Sequence, residues 1–171
     1  ISSSGIIENP MNELSNNFTD YTDLGVHGYN QLFKAKRYGK WFLLKGLKPE
    51  FREMPLYLSL MAKEFELSIA LDHPNIVNTV ETRHDPKIGD CIVMEYVDGL
   101  TLKEFAKTRH SQPVYHQIVM ELLDAMRYYH GKQLIHCDLK PSNILITRNG
   151  NHVKIIDFGL SDNDTFAIFK D

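Results

Sequence analysis

The chain has 171 residues, 43% hydrophobic and 24% charged, a balance that suits one soluble globular domain or slightly more and excludes disorder, collagen and coiled coil. Nineteen Lys and Arg against 22 Asp and Glu leave a net charge of −3, so no bulk positive field points to nucleic acid or an anionic membrane, and any phosphate ligand must be held locally. Two cysteines, Cys91 and Cys137, are too few for a disulfide framework or a zinc site and suit a reducing, cytoplasmic setting. No long apolar run and no signal-peptide pattern occurs, so no membrane span is expected. The chain opens on Ile1 rather than Met, as a fragment would.

Residues 1–20 read as an N-terminal extension. From there to Val97, short apolar runs alternate with turn residues around one helical stretch. Tyr29 to Lys36, Trp41 to Leu47, Ile76 to Arg83 and Cys91 to Tyr96 read as strands. Pro55 to Leu71 sets Leu56, Leu60, Phe65, Ile69 and Leu71 near helical spacing. Asp72-His-Pro-Asn75 then ends that helix, because Pro lacks an amide donor and disfavours the α-conformation in the residue before it.

After Val97 the pattern turns helical. Thr101 and Glu104 have the spacing of a capping box, and Pro113 suits the first turn of a longer helix. In that helix Val114, Ile118, Leu122 and Met126 repeat every four residues beside Leu123 and Ala125, a stripe expected to face the core. Asn143 to Thr147 and His152 to Ile156 flank Arg148-Asn-Gly-Asn151 as a hairpin.

The chemistry concentrates in His136-Cys-Asp-Leu-Lys-Pro-Ser-Asn143, followed by Asp157-Phe-Gly159. Two carboxylates and an amide on neighbouring loops suit phosphoryl transfer, which depends on positioning and charge neutralisation. These residues resemble the protein kinase family, matching H-R-D-L-x-x-x-N at every specified position except Arg, and then D-F-G.

The resemblance implies an α+β, protein kinase-like fold: a five-stranded antiparallel N-lobe sheet with one helix and a hinge over 21–97, then a mainly helical, partial C-lobe over 98–171. It implies ATP and Mg²⁺ as cofactors and a protein substrate with a Ser or Thr acceptor. Asp138 would orient the acceptor hydroxyl and accept its proton, Lys140 would touch the transferred phosphate, and Asn143 and Asp157 would hold magnesium. Lys45, at the end of a strand, would meet the α- and β-phosphates and pair with Glu64 on the following helix.

For the nucleotide, the resemblance assigns Leu24, Gly25, Gly28, Asn30 and Leu32 on the covering hairpin and Leu43 above the base. Met94 would guard the rear of the pocket, the backbone of Glu95 and Val97 would face the adenine edge, and Leu145 would lie beneath.

Several positions depart from the family pattern. The G-x-G-x-x-G loop reads Gly25-Val-His27-Gly28-Tyr29-Asn30, in which Asn30 is a fair substitute for glycine because Asn tolerates the left-handed region, and His27 is a poorer one. Leu43 replaces a small Ala. Ser68 and Thr79 stand where apolar residues usually join helix and sheet, so that contact should be weaker. Cys137 replaces the arginine that commonly binds an activation-loop phosphate, which disfavours switching through it; Ser161 and Thr165 read as ordinary loop hydroxyls, with phosphorylation sites as the alternative.

The resemblance stops twelve residues after Gly159, without an A-P-E motif or later helices, as in an incomplete kinase domain or a natural truncation, and the chain is expected to be inactive alone. Three readings follow: a Ser/Thr-type protein kinase, favoured by Lys140; a small-molecule or glycolipid kinase of the same fold; and a pseudokinase acting as a nucleotide-binding or scaffolding module.

Overall fold

The structure is a computed structural model that describes residues 9–13, 15–132 and 139–156. Five antiparallel strands form the upper sheet in the order β1-β2-β3-β5-β4: β1 Thr19–His27, β2 Asn30–Arg37, β3 Lys40–Leu47, β4 Thr79–Asp85 and β5 Gly89–Glu95. Helix α1, Pro55–Ile69, packs on it between β3 and β4. Below lie β6 (Gly99–Thr101), α2 (Leu102–Phe105), α3 (Gln112–Gly131), β7 (Ile144–Thr147) and β8 (Val153–Ile155), with β6, β7 and β8 forming a second sheet.

Alternation along β2, β3 and β5 builds two apolar layers. Leu32, Leu43, Leu47, Ile92 and Met94 face inward with Met61 of α1. Ala35, Leu44, Cys91 and Val93 face outward and are covered by Phe18 and Ile88. The β2–β3 hairpin closes through Tyr38 and Gly39, both at positive φ (+54° and +72°), the pattern of a type I′ turn that matches strand twist.

Sequence analysis found no apolar run for β1, and the structure supplies the reason. Its side chains are exposed or half-buried throughout, so the strand is held by its backbone ladder to β2 and has no buried face to advertise.

The outer layer is fastened by charge. Arg37 lies 4.6 Å from the Phe18 ring and Arg83 5.2 Å from it. Arg37 pairs with Glu81 at 2.5 Å, and Arg83 donates to the Asn16 carbonyl. The buried Asp85 carboxylate accepts from the Tyr21 hydroxyl at 2.8 Å and from the amides of Lys87 and Ile88 at 2.9 and 3.1 Å. Burial and that carboxylate push the Tyr21 hydroxyl pKa well above its usual value.

Residues 72–77 join the two halves. The expected strand Ile76 to Arg83 begins instead at Thr79, because Ile76 bridges Ile155 in parallel and the Val77 amide donates to the Ile155 carbonyl. Asn75, buried, donates from Nδ2 to Glu121 of α3 and to the Val153 carbonyl. His73 accepts from the Asn75 amide at Nδ1 and meets Asp124 at Nε2, an arrangement that places the ring proton on Nε2.

In the lower half Thr101 caps α2 by accepting from the Glu104 amide, and Pro113 sits in the first turn of α3. The core-facing stripe of α3 is corrected. Ile118, Ala125 and Tyr129 are buried and Val114 and Leu122 partly so, whereas Leu123 and Met126 are exposed. A repeat of four drifts by about 40° per step around a helix of 3.6 residues per turn, so the buried face moves from Leu122 to Ala125. Gly99 is fixed by contact: a Cβ there would lie 2.1 Å from the Ile146 carbonyl oxygen. Among the described residues no helix is long and apolar enough to cross a membrane.

Two stability predictions follow from buried polar groups. Asp85→Ala leaves one hydroxyl and two amides without their acceptor and is expected to lower unfolding free energy in urea by about 3 kcal/mol. Thr79 is buried with its Oγ1 unbonded, so Thr79→Val is expected to raise stability by about 1 kcal/mol in the same titration.

Candidate functional site

At the top of the inner face, β1 and β2 meet in a tight hairpin. A break in register between Asp23 and Gly25 puts an irregularity at Leu24, and Gly25 takes φ +103° with open space where a Cβ would be. Its backbone angle, not crowding, therefore demands glycine. Asp23 holds the bend by accepting from the Gly25 amide at 2.8 Å and from Gln31 at 3.0 Å. His27 pairs with Asn30 across the two-residue turn Gly28-Tyr29, in which Gly28 has φ +60°.

The expected role of Asn30 as a left-handed stand-in for glycine is corrected. Among the described residues the non-glycine positions with positive φ are Asp20, Tyr38 and Asn151; Asn30 is a buried strand residue paired with Leu47. The turn takes its left-handed residue from Gly28, two positions earlier.

Beneath the hairpin, Leu32 pairs with Lys45. Lys45 is 1% exposed, and its ammonium forms an ion pair with Glu64 of α1. Leu43 pairs with Met94, and Leu32, Leu43, Met94 and Ile156 form one apolar cluster with Val97 and Leu145 packed against it. Leu145 reaches this cluster because β7 alternates: Ile144 and Ile146 point down to α3 and Leu145 up to the sheet. Leu24 lies at the rim, 39% exposed. Thr79 pairs with Met94 on the far side, and Ser68 turns its hydroxyl back to the Phe65 carbonyl.

At the end of β5 the Glu95 amide donates to the Asn78 carbonyl at 2.9 Å, and the Glu95 carboxylate accepts from the Asn78 amide and from Lys154. Glu95 thus has its amide engaged, which removes that group from the backbone set expected to face a ligand. Val97 lies between β5 and β6, outside both ladders.

On the lower side Lys140 precedes the short turn Pro141–Asn143 and accepts from the Asn143 amide at 2.8 Å. The Asn143 carbonyl in turn accepts from Ile156 at 2.8 Å, tying the chain just before Asp157 to Asn143. Asp138 and Asp157 themselves, with Cys137, Ser161 and Thr165, lie outside the described residues.

Two charge effects mark the hairpin. His27 has its pKa held below the usual histidine value, first by burial and then by the Lys45 ammonium. Tyr29 has its hydroxyl pushed well above the usual value by burial and by Glu64.

Sequence reading used His73-Pro-Asn75 as a helix stop and missed its role as the joint between the upper sheet and the lower half. A buried-type polar residue directly after a helix-ending Pro was the available signal.

The family model described as a protein kinase domain matches residues 18–165. A probable serine/threonine-protein kinase of Streptomyces coelicolor is 33% identical over 146 residues, which cover 81% of this chain and 21% of that protein. One of Clostridium perfringens is 33% identical over 161 residues, 90% of this chain and 23% of the relative. Serine/threonine-protein kinase PrkC of Bacillus subtilis is 34% identical over 121 residues, 69% of this chain and 18% of its own. The chain spans about a quarter or less of the length of each of these relatives. A five-stranded sheet with a lysine paired to a helical glutamate, and a family match over most of the sequence, lead to one conclusion: the chain belongs to the protein kinase domain family.

Proposed function

We propose that this chain holds the nucleotide site of a Mg²⁺-dependent serine/threonine-protein kinase, and that the protein it belongs to transfers a phosphoryl group from ATP to Ser or Thr hydroxyls of protein substrates. The observation that carries the reading is the buried Lys45–Glu64 pair beside the apolar cluster of Leu32, Leu43, Met94 and Leu145, beneath a hairpin bent by Gly25 and Gly28. An ammonium buried on a sheet face is costly unless it has anionic partners, and phosphate oxygens are the partners this geometry would add to Glu64.

The residues present fit an ATP molecule. Leu43 and Leu145 would hold the flat base from opposite sides, Val97 and the Glu95 carbonyl would take its polar edge, and Met94 would close the rear. Lys45 would hold phosphate oxygens. Asn143 and Asp157, oxygen donors, would hold Mg²⁺. The bound ion and nucleotide supply charge neutralisation and the phosphoryl group. Asp138 would orient the acceptor hydroxyl and take its proton, and Lys140 would offset the charge of the transferred group. Serine and threonine as acceptors are supported by Lys140 and by the names of the relatives.

Titration calorimetry of the chain with ATP, with and without Mg²⁺, tests the site. Binding should require Mg²⁺ and weaken by roughly tenfold or more in Lys45→Ala and in Asp157→Ala, a loss of about 1.4 kcal/mol. A folded chain that shows no binding would sink this reading and favour a scaffolding module.

A stability cycle separates the pair's structural part from its ligand part. Lys45→Met leaves Glu64 without its cation and should cost about 3 kcal/mol in urea unfolding, and adding Glu64→Leu should recover most of that loss without restoring ATP binding.

A further inference from the structure

His27 and Asn30 are a cross-strand pair, so their side chains leave the hairpin on the same face. Asn30 shares that face with Leu32, two residues along β2, and Leu32 is the partner of Lys45. The three polar side chains His27, Asn30 and Lys45 therefore line one surface beside the apolar cluster. Asn30 is 2% exposed, and its Nδ2 donor has no hydrogen-bond partner among the described residues. A buried amide donor without an acceptor is rare in a settled fold and marks a place where an acceptor from outside the chain belongs.

Charged and titratable groups among the described residues lie near the hairpin. Partial burial, and then the Lys45 ammonium on β3, hold the imidazole below its usual pKa, although His27 is an exposed residue of β1. From α1 comes Glu64, already paired with Lys45. The neighbouring Tyr29 hydroxyl is neutral, its pKa raised by burial and Glu64. Asp23 at the base of the hairpin is engaged with the Gly25 amide and Gln31.

We infer that His27 and Asn30 donate hydrogen bonds to the phosphates of the bound nucleotide, so that side chains here take over part of the cradle that a glycine-rich backbone would provide. The inference rests on the ATP reading of the same site. A phosphate beside His27 favours the imidazolium, so binding takes up a proton. Affinity is then highest below the lowered pKa that His27 has in the free protein and is lost as pH rises through the raised pKa of the complex.

The experiment is calorimetry of Mg²⁺-ATP and of adenosine, which has no phosphates, from pH 5.5 to 8, on the parent chain, His27→Gln and Asn30→Asp. ATP affinity of the parent should rise roughly tenfold toward low pH, one unit of pKa shift, beyond any slope that His27→Gln retains. Asn30→Asp should weaken ATP roughly tenfold or more at every pH through repulsion, with adenosine affinity unchanged as proof of an intact site. ATP binding with the same pH slope in parent and His27→Gln, together with unaltered affinity in Asn30→Asp, overturns this assignment and leaves the ATP reading standing. Absence of ATP binding by the folded parent at every pH overturns both.

Discussion

Burying the Lys45 ammonium is the constraint around which the upper half is arranged. Removing such a charge from water costs several kcal/mol even after relaxation, and a paired carboxylate offsets that only with good geometry. The carboxylate comes from Glu64, nineteen residues later in sequence, so α1 must dock in one rotation and at one height. Leu60 and Met61, the buried residues of the helix, set that rotation, and Tyr57, Leu58 and Phe65 pack alongside on the inner cluster. An apolar pair in the same place would serve stability as well or better. Retaining the ion pair is therefore consistent with a ligand that uses it.

A second constraint sets the lower half against the upper sheet. Asn75 reaches α3 through Glu121 and β8 through the Val153 carbonyl, and the Ile155 amide donates back to the Asn75 carbonyl. The same short segment leads into β4, so the upper sheet inherits its position from contacts to the lower one. Gly99 completes the geometry by letting β6 approach β7 without a side chain between them. Leu145 and Ile156 then arrive under Leu43 on short, well-paired backbone.

What the sequence made legible follows from which residues have a distinctive physical signature. The α1 helix, the 143–156 hairpin and the cap at Thr101 are written in periodicity, turn residues and local hydrogen bonding, and all three are present. Lys45 and Glu64 could be placed because a strand lysine and a helical glutamate precede a helix stop at the right separation. β1 was invisible because a strand exposed on both faces has no alternation. Asn30 was misread for another reason: its residue type suits both a turn and a buried hydrogen-bonding position, and only the register His27 to Asn30 decides between them. Met126 failed because a four-residue repeat outruns the helical turn.

Local rules are broken at the hairpin where the ligand is proposed to sit. Tyr29 Oη, Asn30 Nδ2 and Gln31 Oε1, three consecutive residues of the hairpin, are buried without partners. Each such group costs about 1–3 kcal/mol relative to a satisfied one. The outer face of the same sheet solves comparable problems fully at Asp85, whose carboxylate gathers a hydroxyl and two amides. Both environments belong to one sheet and differ chiefly in what they face. Unpartnered groups occur on the outer face too, at Arg37 Nε and Arg83 Nε, and strand alternation turns Gln31 outward; Asn30 Nδ2 differs from these in sharing the face of Lys45, where an acceptor carried by a ligand would meet it.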